Sequence, residues 1–249
     1  MSVTFNTVAD DFFCNFNLQT TLELPNSRDT VLHFCETVQK EFPDMGSFFR
    51  RDNGQYVLEG SRETGSYRWM ELGKNGLVAG YFNPPDLADA YHLHAWLLER
   101  SRYFLGVTAI DIETLDVVLG FNLEFCGNRD AIVMETLLGG SALGSFASES
   151  DSRCIECEPA MVIALNENAS LQARLWIDTR NNQYQMRTRM YENEPISIYF
   201  TVRQCSQTDS VFDLTTSLDK QNSICEDLCQ RIVIPQIIEP LAFAIATGG

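Results

Sequence analysis

The sequence predicts an α+β fold of two tandem, similar lobes, each an antiparallel sheet with two helices in the order strand, helix, strands, helix. Three observations predict it. Apolar residues alternate at period two in several short segments, they recur at helical spacing in four longer ones, and Phe-Asn-Leu occurs at both 16–18 and 121–123 in the same strand-to-helix context. We interpret this repeated tripeptide as the trace of an internal duplication. A pseudo-twofold axis would relate a lobe at 1–106 to a lobe at 107–249, with both packed as one globular unit.

In the first lobe, a half-buried strand is predicted from Phe12 to Leu24 because apolar and polar residues alternate there. A helix follows from Asp29 to Phe42, with Asn26 or Ser27 as its cap. Asn-Gly pairs mark tight turns between strands. These strands are predicted at Ser47–Arg51, Gln55–Ser61, Tyr67–Leu72 and Leu77–Phe82, and a second helix runs from Leu87 to Phe104.

The second lobe is predicted to begin with strands at Val107–Ile112 and Val117–Cys126, followed by a helix over 128–138 that ends at Gly139-Gly140 and a loop to Ser152. A last apolar helix face includes Leu218 and Ile232, and Pro235 and Pro240 are expected to kink or end that helix. Four further strands are predicted, at Met161–Leu165, Leu171–Thr179, Gln183–Tyr191 and Ile196–Gln204.

Net charge and composition disfavour some classes of function. The chain has 18 Lys and Arg against 34 Asp and Glu, for a net charge of −16. Such a field repels polyanions, so we expect neither nucleic-acid nor anionic-membrane binding. No stretch resembles a signal peptide and no apolar run reaches the roughly 18 residues of a membrane span, so we expect a cytoplasmic protein, monomer or homodimer.

The usual catalytic motifs are weak or missing in this sequence. His92 and His94 are two residues apart on a helix and point in different directions, so they do not form a metal pair. Cys154 and Cys157 form a C-x-x-C motif, but it precedes a strand and Glu156 opposes thiolate formation. We interpret these cysteines as ordinary thiols, with a disulfide or a metal site as the alternatives. We expect no cofactor and no metal.

The most informative pattern lies in the predicted second sheet. At period two, one face of its strands takes the polar, basic and aromatic residues while the apolar residues face the other way. Arg and aromatic residues are enriched in contact hot spots, which favours a binding surface for an acidic polypeptide or a small anionic ligand. A solvated face with Arg and Glu pairs, or the seam between the lobes, is the alternative. The candidate ligand-binding residues are Arg174, Trp176, Arg187, Arg189, Tyr199 and Arg203.

Two families resemble this chain in the order of elements. The run from the helix at Asp29–Phe42 through the helix at 128–138 resembles the type III secretion chaperone-like fold, whose members are acidic and bind partner polypeptides in an extended form. Each half also resembles the strand, helix, four-strand, helix repeat of the TATA-binding-protein-like fold. That second resemblance covers nearly the whole chain and agrees with the repeated Phe-Asn-Leu tripeptide. The net charge disfavours the DNA binding that this resemblance implies.

These patterns favour a non-catalytic binding, adaptor or chaperone-like protein that holds its ligand on the Arg and aromatic face or in a cleft between the lobes. The alternative is an enzyme with carboxylates and His94 in that cleft. A deep pocket with converging carboxylate or His side chains would favour the enzyme, and a broad open sheet face would favour the binder.

Overall fold

The computed structural model describes residues 5–147, 154–207 and 212–248, and in these ranges the chain is a mixed α+β protein. Nine strands form one antiparallel sheet. In chain order they are β1 (Asp11–Thr20), β2 (Ser47–Arg50), β3 (Tyr56–Glu59), β4 (Tyr67–Leu72), β5 (Gly76–Phe82), β6 (Ile112–Phe125), β7 (Ala160–Ala164), β8 (Leu171–Asp178) and β9 (Glu194–Cys205). Across the sheet their order is β2-β3-β4-β5-β1-β6-β9-β8-β7.

Seven α-helices accompany the sheet in the described ranges. They are α1 (Arg28–Glu41), α2 (Leu87–Phe104), α3 (Arg129–Val133), α4 (Ala142–Ala147), α5 (Gln183–Thr188), α6 (Leu214–Leu228) and α7 (Glu239–Thr247). Short 3-10 turns lie at Phe5–Thr7 and Arg62–Thr64, and π-helical turns lie at Met134–Leu138 and Cys229–Ile238. The second π-helical segment joins α6 to α7.

The two faces of the sheet differ in burial. Along β1 the residues alternate strictly between buried and half-buried. Phe16 is fully buried and its ring lies 5.1 Å from that of His94 on α2. On the same face, the Gln221 amide of α6 donates to the carbonyls of Leu115 and Val202 at 2.7 and 2.8 Å. The helices α2 and α6 therefore cover this face. The opposite one, called the open face below, carries the half-buried side chains of Phe13 and its neighbours at period two.

The two longest helices of the first half confirm the sequence prediction to within one residue. Helix α1 begins after Ser27, whose hydroxyl accepts from the Thr30 amide at 3.2 Å. Its buried residues Val31, Phe34, Cys35 and Val38 have helical spacing. Helix α2 begins after Asp86, whose carboxylate accepts from the Ala88 amide at 3.0 Å. The four predicted strands between these helices correspond to β2, β3, β4 and β5.

Two predicted strands of the second half are wrong. Residues 107–111 form turns and loop, and β6 begins only at Ile112. The segment predicted as a strand from Gln183 to Tyr191 is instead helix α5, which ends at Thr188. Asn182 starts this helix with a capping box, in which its side chain accepts from the Gln185 amide and the Gln185 side chain accepts from the Asn182 amide.

The buried guanidinium of Arg129 gives the physical reason for that difference. Its side chain is fully buried at the start of α3. It donates to the carbonyls of Thr179 at 2.5 Å and Glu192 at 2.9 Å, to Gln185 Oε1 at 3.2 Å and to Glu194 Oε2 at 3.1 Å. The chain from Thr179 to Glu194 therefore wraps around one buried cation, and Gln185 of α5 is one of the residues that bind it. Burial lowers the pKa of Arg129, and the Glu194 carboxylate opposes that shift.

The helical run at the C-terminal end continues past Pro235, which lies inside the π-helical segment. By length and composition the 34 residues Leu214–Thr247 could cross a bilayer, and 22% of the most apolar window is buried. A core helix passes the same test, and Leu218, Cys225 and Cys229 of this run are buried against the rest of the protein. The cytoplasmic location and the lack of membrane contact stay predictions.

We predict that His94 makes the protein sensitive to acid. Burial lowers the pKa of His94 from 6.5 to about 3, against a smaller opposing effect of the Cys14 backbone. Between these two values the unfolded chain binds a proton that the folded chain does not, so stability falls as the pH falls through this window. From pH 7 to pH 5 this residue should cost about 2 kcal/mol of the free energy of unfolding.

Urea unfolding of the wild type and of His94→Gln at both pH values measures this cost. The variant should lose about 2 kcal/mol less than the wild type over that interval. His92→Gln, a change at an exposed ring on the same helix, is the control and should behave like the wild type. Identical pH dependence of wild type and His94→Gln would contradict the prediction.

Candidate functional site

Five aromatic side chains lie in one line across the open face, and we call them the aromatic row. Each occupies a position directly opposite its neighbour on the adjoining strand, except that Gly120 of β6 stands between Phe13 and Tyr199. From β4 to β8 the members of the row are Tyr67, Phe82, Phe13, Tyr199 and Trp176. The row therefore crosses six strands at right angles to the chain direction.

The rings of the aromatic row contact one another. Tyr67 and Phe82 stack with centroids 5.2 Å apart, and Phe82 and Phe13 stack at 6.4 Å. Phe13 then reaches Tyr199 at 5.8 Å, and Tyr199 stacks on Trp176 at 5.1 Å. Such offset pairs stabilise one another beyond the area that they bury. The result is a continuous, half-exposed apolar line across the open face.

Gly120 is what allows the row to pass the centre of the sheet. A Cβ atom on Gly120 would lie 2.0 Å from the ring of Phe13, so the ring occupies the space above this residue. Gly80 of β5 likewise lies beneath a side chain of β1. A Cβ atom on Gly80 would lie 1.8 Å from Asn15 Oδ1. Both glycines are places where a side chain of β1 approaches the backbone closely.

An arginine lies over the ring at each end of the row. The Arg62 guanidinium is 5.6 Å from the centroid of Tyr67, and that of Arg174 is 5.4 Å from the centroid of Trp176. Both distances are within cation–π range. Arg62 also pairs with Glu59, whereas Arg174 is exposed and has no carboxylate within ion-pair distance among the residues that the structure describes.

Other arginines of the open face are neutralised by carboxylates on the same face. Arg203 of β9 makes two hydrogen bonds to Asp116 of β6, at 2.7 and 2.6 Å, and these raise the pKa of Arg203. Arg180 pairs with Asp178 at 3.6 Å and also donates to Ser197 and to the Tyr199 hydroxyl. Arg174 is thus the arginine of the open face that has no ion pair among the described residues.

A pocket of about 350 Å³ opens on the first-half end of the row, and we call it the Trp69 pocket. Trp69 lies on β4 beside Tyr67 at period two and faces Gly80 of β5. The pocket is lined by Phe13, Asn15, Arg51, Glu59, Arg62, Tyr67, Trp69, Glu71 and Phe82. It combines aromatic walls with one amide and two ion pairs, Arg51 with Glu71 and Arg62 with Glu59.

The structure brings together four of the six predicted site residues. Trp176 and Tyr199 form one end of the row, Arg174 lies over Trp176, and Arg203 lies on the same face, bound to Asp116. Arg187 and Arg189 are different. Because the predicted strand is helix α5, both are exposed at the end of that helix, with Arg189 in the left-handed C-cap position at φ 57°. Their predicted place on the sheet face is wrong.

Arg187 instead lines a separate cleft of about 600 Å³ together with Asp130, Glu156 and Glu158. Both oxygens of Asp130 are used for structure. Oδ1 accepts from the Thr179 hydroxyl at 2.7 Å and the Cys157 amide at 2.8 Å, and Oδ2 accepts from Asn181. Burial raises the pKa of Glu158. The other two carboxylates of this cleft, those of Glu156 and Glu158, belong to exposed residues.

The histidines and the C-x-x-C motif have packing roles in the structure. His94 is fully buried, and burial keeps it neutral, so it cannot exchange protons with a ligand on either face. The rings of His33 and His92 pack on Phe104 and Phe42 at 5.1 and 5.7 Å. Cys154 and Cys157 are half-buried free thiols, and burial raises the pKa of Cys157 to about 11.

Several residues of the site escaped the sequence analysis, above all Phe13, Phe82 and Asn15. Two signals pointed to them. The period-two pattern of β1 extends back from Asn17 to Phe13, and Gly80 and Gly120 sit inside strands, where glycine often marks close approach of another group. The strand order that aligns these residues with Tyr199 and Trp176 was not available from either signal.

We predict that Gly120→Ala displaces the Phe13 ring and breaks the row at its centre. The added methyl group would overlap the ring, and relief of such overpacking costs about 1–3 kcal/mol of the free energy of unfolding. Urea unfolding measures the cost. Gly140→Ala is the control, since a Cβ atom there meets nothing within 4 Å. Equal stability of the two variants would contradict the role assigned to Gly120.

Comparisons with known proteins provide no relative for this chain: no protein-family model, no curated protein and no solved structure matches it. The resemblances to the TATA-binding-protein-like fold and to the type III secretion chaperone-like fold stay predictions about the order of elements. The surface described above is therefore the basis for any functional conclusion.

Proposed function

We propose that this protein is a non-catalytic binding protein, of the adaptor or chaperone-like kind, that holds an extended polypeptide on its open face. The observation that supports the proposal is the aromatic row, a continuous line of five rings, half-exposed on a face that α2 and α6 leave uncovered. Aromatic side chains are over-represented among the residues that dominate binding energy at protein interfaces.

The dimensions of the row suit a polypeptide. Five strand-to-strand steps separate Tyr67 from Trp176, which at about 4.8 Å each gives a line of about 24 Å. An extended chain rises about 3.3 Å per residue, so about seven residues span the row. Because the row is a surface and not an enclosed cavity, it favours a long ligand over a small one.

Two alternatives from the sequence have less support. A small anionic ligand, or an acidic polypeptide, would rely on arginines of the open face, of which Arg203 is held by Asp116 and Arg174 is exposed. An enzyme that uses His94 has less support because the His94 ring is buried under the helices and cannot contact a ligand. Arg174 over Trp176 is the place where a small anion would bind.

We also infer that the fold arose by internal duplication. In chain order the first half runs β1, α1, then β3, β4, β5 and α2, and the second runs β6, α3, then β7, β8, β9 and α6, with the short helices α4 and α5 as extra elements of the second half. In the sheet β1 and β6 pair at the centre, with β5, β4 and β3 on one side and β9, β8 and β7 on the other. Strand β2 is the extra element of the first half. This correspondence supports two similar lobes.

Superposition of Asp11–Phe104 on Ile112–Leu228 tests the duplication. We expect β1, β5, β4 and β3 to fall on β6, β9, β8 and β7, with α2 on α6. The first half contributes Phe13, Phe82 and Tyr67 to the row, and the second half contributes Tyr199 and Trp176. A fit that fails over most of both sheets would remove the inference.

For the binding function, we predict that Trp176→Ala weakens capture of linear peptides by about tenfold, the loss typical of an aromatic hot spot. The peptides are those that the wild type selects from a phage-displayed library of linear sequences, and isothermal titration calorimetry measures their affinity. Tyr103→Ala on α2, a ring 74% exposed outside the sheet, is the matched control and should bind like the wild type. A double change of Arg187 and Arg189 to Ala should also leave the affinity unchanged.

Failure to select any linear peptide would overturn the proposed function. So would selected peptides whose affinity for Trp176→Ala equals their affinity for the wild type, because such peptides would be bound elsewhere on the protein.

A further inference from the structure

We propose that the Trp69 pocket binds a cationic side chain, a guanidinium or an ammonium group, of the polypeptide on the open face. This inference rests on the proposed function and specifies the chemistry of its ligand. It reverses the charge that the sequence alone suggested for the partner, because the pocket pairs aromatic rings with carboxylates and an unused acceptor.

The aromatic walls of the pocket favour a cation. Phe13, Tyr67, Trp69 and Phe82 line it, and the faces of such rings carry the negative part of their quadrupole. The protein itself demonstrates this preference, since the Arg62 guanidinium already lies 5.6 Å from the centroid of Tyr67. Arg62 comes from the 3-10 turn at the rim, and its side chain is 60% exposed.

Two carboxylates stand in the same pocket and are better buried than their partners. The Glu59 and Glu71 side chains are 11% and 12% exposed, whereas their partners Arg62 and Arg51 are 60% and 44% exposed. Arg62 binds Glu59 through two hydrogen bonds, but its guanidinium is largely in solvent, and ion pairs screened by solvent contribute little to stability. An incoming guanidinium can therefore replace Arg62 against Glu59 and Tyr67 at little cost.

The pocket also contains a buried acceptor with no donor. Asn15 Oδ1 is inaccessible to water and has no hydrogen-bond partner among the described residues. It lies over Gly80, and Asn15 is one of the residues that line the pocket. A buried acceptor left unpaired is destabilising, and rotation of the Asn15 amide toward the pocket would let an N–H of a guest guanidinium or ammonium satisfy it.

The surroundings favour the same sign of charge. The whole chain carries −16, so its field attracts cations and repels anions before any contact is made. At the other end of the row, Arg174 over Trp176 would repel a cationic side chain. A basic residue of the polypeptide is thus directed to the Trp69 pocket and away from the opposite end.

The experiment uses N-acetylarginine amide as a single-site probe and N-acetylcitrulline amide as its uncharged analogue of nearly the same shape. Chemical-shift titration of the Trp69 indole N–H in the full-length protein measures both affinities. We expect the arginine derivative to bind about tenfold more tightly than the citrulline derivative. Glu71→Gln and Trp69→Ala should each weaken the arginine derivative, the second monitored through the backbone amides of β4 and β5.

Arg62→Ala provides a gain-of-binding test that a destabilised protein would not mimic. Removal of the resident guanidinium frees Glu59 and the Tyr67 ring, so the affinity for the arginine derivative should rise severalfold. Arg174→Ala removes the same charge at the far end of the row and should leave the affinity unchanged.

Equal binding of the two derivatives, or no binding of either, would overturn the cation pocket. An equal gain in Arg62→Ala and Arg174→Ala would also overturn it, because the effect would then be one of net charge alone. In all these cases the peptide selection that tests the proposed function is unaffected. Linear peptides captured through Trp176, but without preference for a basic residue, would leave that function standing and remove this inference alone.

Discussion

The pairing of β1 with β6 is the constraint on which the rest of the structure depends. These strands run antiparallel through the centre of the sheet, from Asp11 opposite Asn122 to Gln19 opposite Thr114, and each also pairs with a strand of its own half. Without this contact, each half would expose a central edge with unpaired amides and carbonyls. With it, one sheet results, α2 and α6 cover one face, and the other face stays available. The aromatic row exists because this pairing places Phe13 between Phe82 and Tyr199.

Local patterns were sufficient for most of the fold. Ser27 and Asp86 as caps, with apolar residues at helical spacing after them, located α1 and α2. Asn-Gly turns located the strands of the first half. The same reasoning failed at Gln183–Tyr191, where alternating residues resemble a strand. There the capping box of Asn182 and Gln185 was a local signal for a helix, and the buried Arg129, more than fifty positions earlier in the chain, is a tertiary one that no local pattern contains.

The candidate site also contains residues that local patterns predicted and residues that they did not. Trp176, Tyr199 and Arg174 were predicted on one face because alternation within a strand determines which side chains share a face. Their continuation into Phe13, Phe82 and Tyr67 depends on which strands are neighbours, and pairing across more than a hundred residues is not encoded at any one position. The pairing of charges depends on tertiary contacts in the same way. A count of arginines suggested an anion site, whereas the structure binds Arg203 to Asp116 and Arg62 to Glu59.

The absence of a side chain at Gly120 has a consequence for how a ligand would be oriented. If the two central positions carried equal rings, the row would look nearly the same from both ends, and a chain could lie on it in either direction with similar affinity. Only Phe13 supplies a ring there, and it covers Gly120, the residue opposite it on β6. Together with the different arginines at the two ends, this makes the two directions along the aromatic row inequivalent. A polypeptide on it would have one preferred N-to-C direction.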